Sequence, residues 1–212
     1  METEKTIAGL LLKIKAVFLR PDDPFTWASG IKSPIYCDNR LILSHPAARR
    51  RVERALAFAI QKNYPKTELV AGTSTAGIAH AAIAADILDL PMVYVRGGAK
   101  GHGRKQNIEG NAKSWQRAVV VEDLISTGGS VIEVVEILRE ADVEVLGIAS
   151  IFSYEMQKGK ERLSQANVKN ISLSNYQALI EAALEIGYIS AGDVNKLEAF
   201  HRDPYDADWM SI

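Results

Sequence analysis

Apolar residues Ile7, Leu10, Leu11, Ile14 and Phe18 recur at the spacing of one helix face, which predicts an amphipathic helix running through Phe18. The stretch from Arg20 to Arg40, "RPDDPFTWASGIKSPIYCDNR", breaks that rhythm. It is rich in turn formers, with short extended pieces at Phe25–Trp27 and Ile35–Tyr36. A second helix follows, with Ser44 placed to cap it and Pro46 in its first turn, ending near Gln61. From Glu68 onward the pattern becomes short continuous apolar runs alternating with helix-like segments. "ELVAG" reads as a strand, Ile78–Leu88 as a helix and "MVYV" as a strand ending at Arg96. "AVVVE" reads as a strand, Gly129–Glu140 as a helix and "VEVLGIASIF" as a further strand. Two helices near Ser174–Glu185 and Ser190–His201, with a short strand at Ile171–Leu173, complete the chain.

Strands that are apolar throughout, rather than at every second residue, are buried on both faces. Their alternation with helices predicts an α/β fold with a parallel sheet covered on both sides. In such sheets ligands bind beyond the carboxyl ends of the strands. Three loops converge there: Thr73–Gly77, Arg96–Trp115 and Glu122–Ser130.

Composition narrows the classes. The 212 residues suffice for one domain, with 47% hydrophobic and 24% charged residues and a net charge of −1. That balance argues against a broad nucleic-acid surface, so no nucleic-acid partner is expected. No run of about 18 apolar residues occurs, so no membrane span is expected. The start is acidic, with no cationic region before its apolar part, which does not fit a secretory signal. Cys37 is the single cysteine, so no internal disulfide forms, and the chain reads as cytoplasmic.

The chemistry concentrates in "AVVVEDLISTGGSV", from Ala118 to Val131. An apolar strand leads into Glu122 and Asp123, then Leu124 and Ile125, then the small turn Ser126, Thr127, Gly128, Gly129 and Ser130. Backbone N–H groups of such a turn can point at an anion, and the dipole of the following helix favours it. Two carboxylates at the end of a buried strand need partners, such as ribose hydroxyls or a cation on a nearby pyrophosphate. Neither a G-x-x-x-x-G-K-[ST] loop nor a G-x-G-x-x-G fingerprint is present. The segment Gly97–Trp115 is polar and glycine-rich. Around it Arg96, Lys100, Arg104, Lys105 and Lys113 stand against a single acid, Glu109, which suits a cationic lid over an anionic substrate. The four histidines show no metal-ligand spacing.

"VVVEDLISTGGSV" resembles the phosphoribosyl-pyrophosphate motif of the type I phosphoribosyltransferases. "FTWASGIKSPIYCDNR" resembles the N-terminal hood of the orotate phosphoribosyltransferases, and "VRGGAKGHGRKQNIEG" their catalytic loop, closest to a bacterial branch. The resemblance implies the type I fold: a parallel-sheet core flanked by helices with a small N-terminal hood. It implies one domain over 1–212, with the hood at about 1–45 plus part of the C-terminus and the core at about 46–170. It implies a pentosyltransferase that moves ribose 5-phosphate from phosphoribosyl pyrophosphate to orotate in pyrimidine biosynthesis. Mg2+ would be carried by the substrate, with no metal ligand from the protein. By the same resemblance Ser126–Ser130, with Leu124 and Ile125, hold the 5′-phosphate end, and Glu122 and Asp123 face the ribose. Arg96, Lys100 and His102 meet the pyrophosphate across a homodimer interface. Lys100, His102 and Asp123 are the candidate catalytic residues, and Ser126, Lys32 and Tyr36 the candidate orotate contacts. "GTSTAG" (72–77) matches the family's pyrophosphate loop.

The chain departs from the pattern at Ala28, Ala76 and Gly97, where other members carry cations. Glu155 stands where some place an arginine on the orotate carboxylate. Lys32 or hood N–H groups are the alternatives for that carboxylate. His102 serves as a general acid or as a phosphate donor, and Tyr36 as a base-stacking or a packing residue. A purine-base transferase and a regulator that senses phosphoribosyl pyrophosphate share the phosphate motif and remain alternatives.

Overall fold

The structure is a computed structural model describing residues 3–27, 30–98 and 107–212. Helix α1 (Glu4–Lys13) is capped by the Thr3 hydroxyl, which accepts from Thr6 N. It ends earlier than its apolar spacing predicts. Ile14 is its last cap, Lys15 turns into the left-handed region (φ 58°), and Phe18 lies in strand β1 (Val17–Leu19). Ala16, Val17 and Leu19 are all buried, so three nearly consecutive residues seek the interior. A helix buries one stripe only, and a strand edge accommodates the run better.

The next segment holds β2 (Phe25–Thr26) paired with β3 (Lys32–Ser33), and β4 (Ile35–Cys37) paired antiparallel with β1. A 3-10 turn (Asn39–Ser44) follows, started by Asp38, whose carboxylate accepts from Arg40 N. That turn absorbs Ser44. Helix α2 (Pro46–Asn63) therefore begins after His45 with no side-chain cap, not at Ser44 as predicted, while Pro46 does occupy its first turn.

The core alternates as expected: β5 (Leu69–Thr73), α3 (Gly77–Leu88), β6 (Met92–Val95), β7 (Ile108–Glu109), β8 (Arg117–Ile125), α4 (Gly129–Glu140) and β9 (Glu144–Ser153). Then come α5 (Gln157–Gln165), β10 (Asn170–Asn175), α6 (Tyr176–Glu185) and α7 (Ala191–Arg202). The six strands lie in the order β10-β9-β8-β5-β6-β7, parallel except for β7, which turns back on β6. Helix α5 escaped the sequence reading because only Gly159 of its residues is buried, leaving no apolar rhythm to see.

Both faces of the sheet are covered. Leu56 and Ile60 of α2 and Ala81 and Ala84 of α3 pack with Val70, Val119 and Val121 on one face. Val131, Val134 and Leu138 of α4 pack with Ala71, Val93 and Val120 on the other. A third cluster joins α1, β1 and β4 to α6, α7 and Trp209, and reaches the sheet through Ile151 and Phe152. The N-terminal and C-terminal segments thus share one apolar body above the end of β9. Among the described residues no helix is long and apolar enough to cross a membrane.

Candidate active site

The strand order reverses direction at β5. The chain leaves β5 toward β6 and returns to place β8 on the other side. Beyond the carboxyl ends of these two strands lies the crevice where such sheets hold ligands. The two acids of the motif stand there, and the fold treats them differently. Glu122 is buried: its Oε1 lies 2.6 Å from Thr73 Oγ1 on the neighbouring strand and accepts from Asp123 N at 3.0 Å. Burial, reinforced by the adjacent Asp123 charge, pushes its carboxyl up to about 8. Thr73 Oγ1 also lies 3.2 Å from Val121 O. The Thr73 hydroxyl, with one proton, thus faces two acceptors, Glu122 Oε1 and Val121 O, at the adjoining strand ends. Asp123 is only half-buried, and its backbone carbonyl accepts from Asn39 Nδ2 at 2.6 Å.

Strand β8 runs on through Leu124 and Ile125 before the small turn begins. Ile125 is buried in the sheet core and Leu124 packs against the N-terminal cluster, so both anchor the turn from below. Gly128 caps α4 with φ 75°, a left-handed backbone that suits glycine, and no side chain caps that helix. The first N–H groups of α4 are therefore left for a ligand, beside the half-buried Ser126 and Thr127 and the exposed Gly129 and Ser130. Helix α5 sits against this turn. A Cβ on Gly159 would lie 2.7 Å from Ser126 O, and Arg162 Nη1 donates to Thr127 O at 3.3 Å.

The Thr73–Gly77 loop closes the second side. Ser74 N donates to Val95 O at 3.0 Å, and Ser74 Oγ is buried with no hydrogen-bond partner among the described residues. Gly77 is packed so closely that a Cβ would lie 2.5 Å from Val121 O. On the third side Arg96, at the end of β6, is well exposed and pairs with Glu109 of β7. Glu133 of α4 accepts from Gly98 N at 2.9 Å and so ties the start of the polar loop to that helix. Lys100 and His102 lie outside the described residues, as do Ala28, Arg104 and Lys105.

The three candidate base contacts are not brought together. Ser126 lines a cleft of about 580 Å3 with Trp27, Ile31, Thr127, Met156 and the chain from His201 to Tyr205. Lys32 lines a neighbouring recess with Pro204 and Tyr205, and its Nζ donates to Thr26 Oγ1 at 2.8 Å. Tyr36 leans on Phe25, ring centroids 5.5 Å apart, and is absent from the residues lining either space. Asn39 and Gly159 carry no signal in the sequence, whereas Thr73 belongs to the converging Thr73–Gly77 loop that the sequence singles out. Among the described residues no three His, Cys, Asp or Glu side chains converge to hold a metal ion.

The chain matches a family model described as a phosphoribosyl transferase domain over residues 39–185. It is 56% identical over 208 residues to an orotate phosphoribosyltransferase of Bacillus cereus (strain G9842), covering 98% of this chain and 99% of the relative. Its structure is similar to that of an orotate phosphoribosyltransferase from Aeropyrum pernix, with a TM-score of 0.74 and 28% identity over 87% of this chain and 99% of that one. It is also similar to a Leishmania donovani UMP synthase, with a TM-score of 0.79 and 27% identity over 93% of this chain and 42% of that one.

Proposed function

The chain belongs to the phosphoribosyltransferase family and, within it, to the orotate phosphoribosyltransferases, and on that premise we propose how its residues divide the reaction. Ribose 5-phosphate passes from phosphoribosyl pyrophosphate to N1 of orotate, giving orotidine 5′-monophosphate and pyrophosphate. The turn Ser126–Ser130 grips the 5′-phosphate with its N–H groups and hydroxyls, held in place by Leu124 and Ile125. Asp123 faces the ribose, where positive charge develops as the C1–O bond breaks. Glu122, buried and tied to Thr73, fixes the strand end, and Asp123, the less buried of the two acids, is left to meet the ribose. Arg96, Lys100 and His102 receive the negative charge of the departing pyrophosphate, with Arg96 exchanging Glu109 for the substrate. An exposed ion pair of this kind is worth about 0–1 kcal/mol, so the exchange costs little. The loop around Arg96–Gly110 is read as shared across a homodimer interface, on the strength of the sequence resemblance.

Mg2+ is read as a substrate-borne ion, and buried Glu122, whose carboxyl is pushed up to about 8, is poorly suited to hold it. When bound on the pyrophosphate, the ion would neutralise the leaving group's charge, and Asp123 is the residue placed to meet it or the ribose.

The observation that carries the reading is the uncapped start of α4 directly beside the paired Glu122 and Asp123 at the strand-order reversal. The test is absorbance of orotate, adenine, hypoxanthine and guanine incubated singly with purified protein, phosphoribosyl pyrophosphate and Mg2+. Orotate is expected to be consumed and the purines left intact. Consumption of a purine with orotate untouched refutes the reading.

A further inference from the structure

We propose that Arg202, at the end of α7, holds the carboxylate of the base substrate, with Lys158 as the second cation. This rests on the orotate reading above and names a residue for it. Orotate is a flat ring bearing a carboxylate, and a carboxylate leaving water needs a fixed cation or several hydrogen-bond donors. The side chains already considered do not supply a cation, and of the hood N–H groups Trp27 N and Gly30 N are spent on Ile31 O and Trp27 O. Lys32 opens on the neighbouring recess and is engaged by Thr26. Position 155 carries an acid, Glu155, with Lys160 at 3.8 Å.

The cleft that Ser126 lines does offer cations. Trp27, Ile31, Met156 and Pro204 give it apolar walls suited to a ring, and Lys158 and Arg202 stand at its margin. The cleft's two acids are each occupied locally: Glu161 accepts from Gln157 Nε2 at 2.7 Å, and Asp203 accepts from Tyr205 N at 2.9 Å. Neither Lys158 nor Arg202 forms an ion pair among the described residues, so both charges are left for an anion.

The end of α7 is also held rigidly. The His201 ring stacks on Tyr176 at 4.7 Å, and its Nε2 lies 2.7 Å from Tyr154 O at the end of β9. Phe200 packs edge-on against Trp27 at 5.9 Å and against Trp209 at 5.6 Å. These contacts hold the end of α7 against Trp27, Tyr154 and Tyr176, while Arg202 itself is exposed. A guanidinium fork matches a carboxylate with two parallel hydrogen bonds, which a lysine cannot do. The C-terminal segment, silent in the sequence, thereby gains a role in choosing the base.

The test is steady-state kinetics of the full chain with Arg202→Ala, Arg202→Lys and Lys158→Ala. Wild-type turnover of orotate is read first, since its absence removes the function reading and this assignment together. With turnover present, Arg202→Ala is expected to raise the KM for orotate on the order of 10- to 100-fold while leaving the KM for phosphoribosyl pyrophosphate unchanged. Arg202→Lys should fall between, and Lys158→Ala should raise the orotate KM several-fold. An unmoved orotate KM in Arg202→Ala overturns the assignment and leaves the function standing. So does an equal rise in both KM values, which would mark general damage to the site.

Discussion

Glu122 has its carboxyl inside the sheet end, bonded to Thr73 and to the Asp123 N–H, and burial favours its protonated form. The consequence for stability has a definite sign. An acid raised to about 8 in the fold contributes stability that is whole at low pH and is lost as the pH climbs toward and past that value. Glu122→Gln keeps the shape and has no proton to lose. Thermal unfolding of both proteins between about pH 5 and pH 9 should show the wild type losing more stability than the variant toward the alkaline end. Parallel curves would mean that Glu122 is charged throughout. The sequence announced two acids at a strand end but not that one would be buried against Thr73. That division depends on β5 lying beside β8, a contact between residues 49 positions apart. Asn39, which holds the carbonyl of Asp123 from 84 positions away, was invisible for the same reason.

Among the elements, the turn Ser126–Ser130 depends on α5 as much as on its own glycines. Gly159 lets α5 approach so closely that an added Cβ would press on Ser126 O at 2.7 Å. Since that contact is backbone, it yields only by moving the helix or the turn. Gly159→Ala should therefore destabilise the fold by about 1–3 kcal/mol and raise the KM for phosphoribosyl pyrophosphate. Denaturant unfolding and initial rates measure the two effects, and a variant with both values unchanged would show that the turn is not seated on α5. Strands and helices with a strong apolar pattern were legible: α4 spans the predicted Gly129–Glu140, and β5, β6, β8 and β9 lie where their apolar runs do. Helix α5 was not, because its surface is polar and its packing rests on a glycine. The first helix was read too long because Phe18, at helical spacing, instead faces Tyr36 across β1 and β4.

At the scale of the molecule, two bodies meet over one sheet edge. The core supplies the turn Ser126–Ser130 and the two acids. The apolar cluster of α1, β1, β4, α6 and α7 carries Trp27, Ile31 and Arg202 to the same edge, walling the cleft that Ser126 lines. The side proposed for the phosphate was legible, since its residues are contiguous from Glu122 to Ser130. The side proposed for the base was not, since the walls of that cleft come from Trp27, Met156 and Arg202, which only the folded chain assembles. Asp123 stands where the two bodies join, its carbonyl bonded to Asn39 and its carboxylate on a half-buried residue three positions before the turn. The central claim is that this carboxylate acts on the sugar as charge develops, while the turn grips the phosphate. The turnover of Asp123→Asn at saturating phosphoribosyl pyrophosphate and orotate tests it most directly. The account predicts a fall in kcat of about 100-fold or more with little change in the KM for phosphoribosyl pyrophosphate. A kcat equal to that of the wild type would contradict it.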